Sequence, residues 1–196
     1  MRTTIAFFAV ALVGCSSDAS DTDDAIAEGE QRGDDFVAQI DAQLAGEPDG
    51  DLVIAKTCMI TMTLDDGEIV AADFVLDRSI DPVVLDFAQL MFDEHSTHQS
   101  NTISLLAGYD LDPVDIDVAG QLMADASADM AVLRSTSDLD YEYMRLQVVM
   151  HNEAFVIVDA LVDFAPDSNF AQFLLDTRDT IRSHRDEAEA DLRDME

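Results

Sequence analysis

"KTCMITMTL", residues 56–64, is the stretch on which the fold turns. It is β-branched and close to alternating, so taken alone it reads equally well as a strand or as part of a helix. Its neighbours decide the matter. Ile54, Cys58, Thr61, Asp65, Glu68, Ala72 and Val75 follow one another in steps of three and four straight through it, the seam of a bundle helix. We therefore read it as helix, and with it the whole chain from Asp51 onward.

Moving forward, this helix stops near Ser79, and Asp81–Pro82 supplies a cap and a first-turn proline for the next. That helix carries Val84, Phe87, Met91, His95, His98 and Ile103 on one stripe and runs to about Gly108. A second Asp-Pro pair, Asp112–Pro113, is expected to start a shorter helix with Val118, Leu122 and Val132 inward. "STSDLDYEY", residues 135–143, restarts the chain with Ser137 and Asp140 at capping-box-like spacing. Tyr143, Gln147, His151, Ala154, Val158 and Leu161 form its stripe. After "APDS", residues 165–168, the last helix lines up Phe170, Leu174, Thr177, Ile181, His184 and Ala188. Four long helices with a shorter one between the second and third give an all-α fold. A crossover of about twenty residues spans roughly 30 Å, enough to return the chain along a bundle. The expected architecture is a ferritin-like four-helix bundle with an additional crossover helix, residues 51–196.

Moving backward, "DDFVAQIDAQL", residues 34–44, makes a short amphipathic helix ended by "AGEPDG". Residues 16–33 hold almost no large apolar side chain, so residues 15–50 read as an acidic flexible tether with that short helix inside it. Residues 1–14 read as a lipoprotein signal peptide: Arg2, then the apolar run "IAFFAVALVG", too short to span a bilayer, then Cys15 in a bacterial lipobox-like "LVGC". Acylation at Cys15 would anchor the protein to a membrane without spanning it. Ser16 and Ser17 after that cysteine favour the outer membrane, so the expected location is the cell envelope, on the periplasmic face. Cys58 would then be the only thiol left, leaving no internal disulfide.

With 196 residues and 48% apolar composition the chain suits one buried core. The formal net charge is −32, with 10 basic against 42 acidic residues. Nucleic acid would be repelled by such a surface and is excluded as a partner. The sequence contains no glycine-rich phosphate loop, nucleophile elbow or cysteine-based zinc spacing, and it assigns no catalytic residue.

Polar groups nonetheless sit on every long stripe: Asp65 and Glu68, then Glu94, His95 and His98, then His151 with Tyr143, then His184. Buried without partners, each costs several kcal/mol, so they must satisfy one another or a metal ion. Imidazoles and carboxylates converging from different helices make a transition-metal site, with zinc, copper and iron all suited to nitrogen donors. A di-iron site fits less well, because Glu94 precedes His98 by four residues and no glutamate lies three before His151 or His184. The alternative is a buried hydrogen-bond network that only fixes helix register. Met91 and Met150, beside the histidines, read as core filler.

Three segments in this order, "DDGEIVAADFVLDRSIDPVVLDFAQLMFDEHSTHQSN", "LDYEYMRLQVVMHNEAF" and "LLDTRDTIRSHRDEAEADL", resemble the exported bacterial family called domain of unknown function 4142, described as outer-membrane proteins and grouped with ferritin-like bundles. The resemblance covers roughly residues 51 to 194 and departs at Leu139, where the family carries an aromatic. It carries over to Glu68, to Glu94 and His95, to Asp140 and Tyr143, and to His151 and His184; His98 lies outside it. It implies a fold and an envelope location but no reaction. The reading it supports is a lipid-anchored envelope protein, with Glu68, His95, His151 and His184 as metal ligands. Glu94, Asp140 and Tyr143 would orient the imidazoles. In the competing reading a structural or interaction lipoprotein uses the same residues only to satisfy each other.

Overall fold

A computed structural model describes residues 20–79 and 81–196. The signal peptide and the lipidation site expected at Cys15 lie outside them. Among the described residues the chain is helical with no strand: α1 (Asp21–Leu44), α2 (Gly50–Leu76), α3 (Pro82–Gly108), α4 (Asp117–Ser135), α5 (Leu139–Val162) and α6 (Ser168–Met195). "KTCMITMTL" is helix throughout, inside α2. None of these helices is long and apolar enough to cross a membrane.

Two apolar clusters fix the directions of the helices. One joins Ile54 and Cys58 at the start of α2 to Leu106 at the end of α3, Leu161 at the end of α5 and Phe170 at the start of α6. The other joins Val75 near the end of α2 to Val84 and Phe87 at the start of α3, Tyr143 at the start of α5 and Leu192 at the end of α6. Hence α2 and α6 run one way, α3 and α5 the other. Because α3 and α5 point alike, the chain must travel back between them, and α4 is that return, packed on α2. The polar residues of the stripes occupy the section between the two clusters.

The caps explain most helix starts and correct two expectations. Asp81 accepts from the Val83 amide and Pro82 opens α3, as read. α4 begins at Asp117, not at Asp112–Pro113, and has no side-chain cap at Ile116. Asp138, not Ser137, caps α5 by accepting from the Tyr141 amide. Ile103 and Val132, placed on inward stripes, are exposed. At both positions the stripe drifts off the core near a helix end, where Leu106 and Leu133 turn inward instead.

The largest departure is at the amino-terminal side. The segment read as a tether is mostly one helix, α1, of 24 residues, lying along α5. Its inward residues Ala25, Gly29 and Gly33 are small for a reason. A Cβ on Gly29 would sit 2.3 Å from the Val149 carbonyl oxygen, and one on Gly33 would sit 2.6 Å from the Val156 Cβ. The absence of bulk lets two backbones touch, and dispersion contact replaces large-side-chain burial. Below them Phe36, Ile40 and Leu44 enter the first apolar cluster.

Candidate metal centre

The site is built from four helices. α3 contributes His95 and His98, α5 contributes His151, α6 contributes His184, and α2 contributes Asp65 and Glu68. His95, His151 and His184 are buried and their rings stand edge to face or tilted, with centroids 5.4–5.9 Å apart. One nitrogen from each ring lies within 4.8 Å of those of the other two. Of the four residues expected to be ligands, then, the three histidines meet.

Each of the three rings has its proton fixed on the outer side. His151 Nδ1 faces the Gln147 carbonyl oxygen at 3.0 Å, which can only accept, so Nδ1 carries the hydrogen. His95 Nδ1 donates to Asp65 Oδ1 at 2.9 Å, and His184 Nε2 donates to Glu94 Oε2 at 2.8 Å. The nitrogens left over are His95 Nε2, His151 Nε2 and His184 Nδ1, all buried and without a hydrogen-bond partner. In neutral rings these are lone pairs, aimed at one another. Three converging lone pairs repel unless a positive charge lies between them, and buried acceptors left unpaired are costly. A tetrahedral ion with metal–nitrogen bonds of about 2.0–2.1 Å sets its ligand nitrogens about 3.3 Å apart, so a small inward movement of the rings completes the geometry.

The surrounding charges also call for a cation. Burial pushes His151 well below the ordinary histidine range, and His184 and His95 push it further. Burial likewise lowers His184, against the pull of Glu94. Burial opposes a charged His95 too, but the hydrogen bond it donates to Asp65 and the charges of Glu68, Asp65 and Glu94 outweigh it, and the group is raised. Burial thus favours neutral rings at His151 and His184, while the carboxylates around His95 favour positive charge at that position.

Glu68, the fourth expected ligand, is buried, and burial raises its pKa despite His95 and the hydrogen bond from Gln147. Its Oε2 accepts from Gln147 Nε2 at 2.8 Å, and its Oε1 lies 3.6 Å from His151 Nδ1, the protonated outer edge of that ring. It stands beside the cluster as a compensating charge. Glu94 orients His184 as expected. Asp140 and Tyr143, expected to orient the imidazoles, make no hydrogen bond to them. The Tyr143 hydroxyl and Asp140 Oδ1 are buried without partners, and the Tyr143 ring packs edge-on against Phe87.

The residue that the stripes named and the ligand set passed over is Asp65. Its two carboxylate oxygens accept from His95 Nδ1 and from His98 Nδ1, the latter at 2.7 Å. His98 Nε2 in turn meets Thr177 Oγ1 at 2.9 Å on α6. Thr177, His98 and Asp65 therefore form a chain that holds His95 from behind, the carboxylate–histidine arrangement that orients metal-binding imidazoles. His98 reaches the cluster only through Asp65 and is not one of the three close-set histidines. The signal was present in the spacing, since Asp65 and His98 both lie on inward stripes.

A family model described as Domain of unknown function (DUF4142) matches residues 42–190. Neither the curated proteins nor the solved structures yield a match to the chain.

Proposed function

The chain belongs to the DUF4142 family, a domain of unknown function, and we propose that its three-histidine cluster binds one transition-metal ion, zinc, copper or iron. The ligands are His95 Nε2, His151 Nε2 and His184 Nδ1. Asp65, the Gln147 carbonyl and Glu94 hold the rings with their free nitrogens inward, and Glu68 offsets the ion's charge. The observation that carries this reading is the set of three buried nitrogens without partners. A register-fixing hydrogen-bond network would have paired them.

The scaffold is read as a ferritin-like bundle of α2, α3, α5 and α6 with α4 as the crossover, a reading supported by the opposed helix directions and the placement of a site in the middle of the bundle. Export and anchoring through a lipid on Cys15, at the periplasmic face of the outer membrane, remain the proposed location, supported by residues 1–17. With the acidic surface, such a protein would act as a tethered holder of a metal ion.

The test is metal analysis of the chain purified without chelator and without a histidine tag, followed by thermal melts with added zinc, copper or iron. About one ion per chain and a rise of Tm with metal are expected, since a ligand at a hundredfold its Kd adds about 2.7 kcal/mol. No stoichiometric metal and unmoved melts would leave the cluster as a structural polar network.

A further inference from the structure

The nitrogens of the cluster border a cavity of ≈ 70 Å³. A single water needs about 10–15 Å³ of such volume, so there is room for an ion and for a molecule of a few atoms beside it. Away from the histidines the walls include Leu64, Leu122, Met150, Ala154, Val158 and Ile181. On the α4 side the cavity reaches Asp125, which is exposed, and Asp129 and Glu153, which are buried. Arg32 pairs with Asp129 at 3.0 Å and lies 3.8 Å from Glu153, but neither arginine nor lysine is among the described residues that line the cavity.

Three nitrogens leave a metal ion one further position in tetrahedral geometry, and among the described residues no fourth histidine, cysteine or carboxylate ligand atom joins their close-set group. Glu68 stands at the outer edge of His151 and not at its inward nitrogen. The open position therefore faces the cavity. Its apolar walls disfavour a charged or strongly hydrated ligand, and Asp125, Asp129 and the net charge of −32 repel anions, whereas burial pushes Glu153 up to about 8 and leaves it largely protonated at neutral pH. Resting on the metal reading above, we propose that the open position takes a small neutral molecule with a donor lone pair, of the size of carbon monoxide, and rejects small anions.

Carbon monoxide and azide separate these properties. The full chain is loaded with Cu(I) under argon, its copper content measured, and carbon monoxide added while the infrared C–O stretch is followed, with the ¹³C isotope shift as identification. A second sample loaded with Cu(II) is titrated with azide and watched for a charge-transfer band. We expect one carbon monoxide per copper and no azide band. Ala154→Leu, which adds bulk to the cavity wall, should keep its copper and lower carbon monoxide affinity by about tenfold or more. Copper bound without carbon monoxide would overturn the inference and leave the metal reading standing. Failure to bind copper would overturn the inference for a copper-loaded site, while the melts with zinc and iron would still decide the metal reading. An azide complex as tight as the carbon monoxide complex would overturn the selection by charge.

Discussion

The two sections of this bundle solve the problem of burial in opposite ways. Toward the start of α2, Ile54, Cys58, Leu106, Ile157, Leu161, Phe170 and Leu174 meet in one apolar cluster, and each is 2% exposed or less. In the middle, the same four helices bury Asp65, Glu68, His95, Gln147, His151 and His184, and leave three ring nitrogens unmatched. The first section gains by excluding water. The second costs folding free energy unless something satisfies those nitrogens.

The contrast breaks most sharply with paired substitutions. Phe170→Ala in the dry section should cost about 3–5 kcal/mol by chemical denaturation. Wherever that variant remains folded, it should still bind one metal ion. His151→Ala should do the reverse: the metal-dependent rise in stability, about 2.7 kcal/mol at a hundredfold Kd, should vanish from its melts. If Phe170→Ala lost metal while still folded, or if His151→Ala kept it, the two sections would not be separable.

A finer division tests whether the middle section depends on its support. Asn at position 65 can accept from only one of the two histidines that now donate to the carboxylate. Asp65→Asn should therefore keep the fold and weaken metal binding by about 10–100-fold, measured by competition with a chelator. Gly29→Ala probes the helix behind His151. Its methyl group would press on the Val149 carbonyl, and a cost of about 1–3 kcal/mol is expected, seen as earlier hydrogen exchange in α1.

The smallest effect belongs to the dry section at alkaline pH. Burial pushes the Cys58 thiol up from 9.0 to about 12. The folded chain then keeps a proton that the unfolded chain releases, so this contribution is complete below pH 9 and is lost as pH rises from 9 toward 12. The slope is at most about 1.4 kcal/mol per pH unit. Denaturation curves at pH 8 and 10 should differ less in Cys58→Ala than in the wild type, and iodoacetamide should reach Cys58 only after unfolding.

How much of this was legible can be judged from particular residues. The seam from Ile54 to Val75 outweighed the β-branched character of "KTCMITMTL" because seven residues at helical spacing constrain a segment more than the propensity of any short run. The histidines were legible as inward residues for the same reason. Asp140 and Tyr143 share the α5 side of the site in sequence, yet they sit a turn or more from His151 toward Phe87, and one-dimensional spacing does not reveal how far along an axis a side chain reaches. α1 was misread because Gly29 and Gly33 look like disorder when counted as missing hydrophobes, whereas opposite Val149 and Val156 they are a close fit.

Sequence alone determined that the chain is helical, which faces of its long helices are buried, and that imidazoles lie on those faces, because periodicity is a property of neighbours along the chain. Only the tertiary structure decided which nitrogen of each ring is free, that Asp65 and not Tyr143 holds His95, and that α1 belongs to the fold. Those facts depend on distances between helices, and such distances arise only when surfaces far apart in the chain are packed against one another.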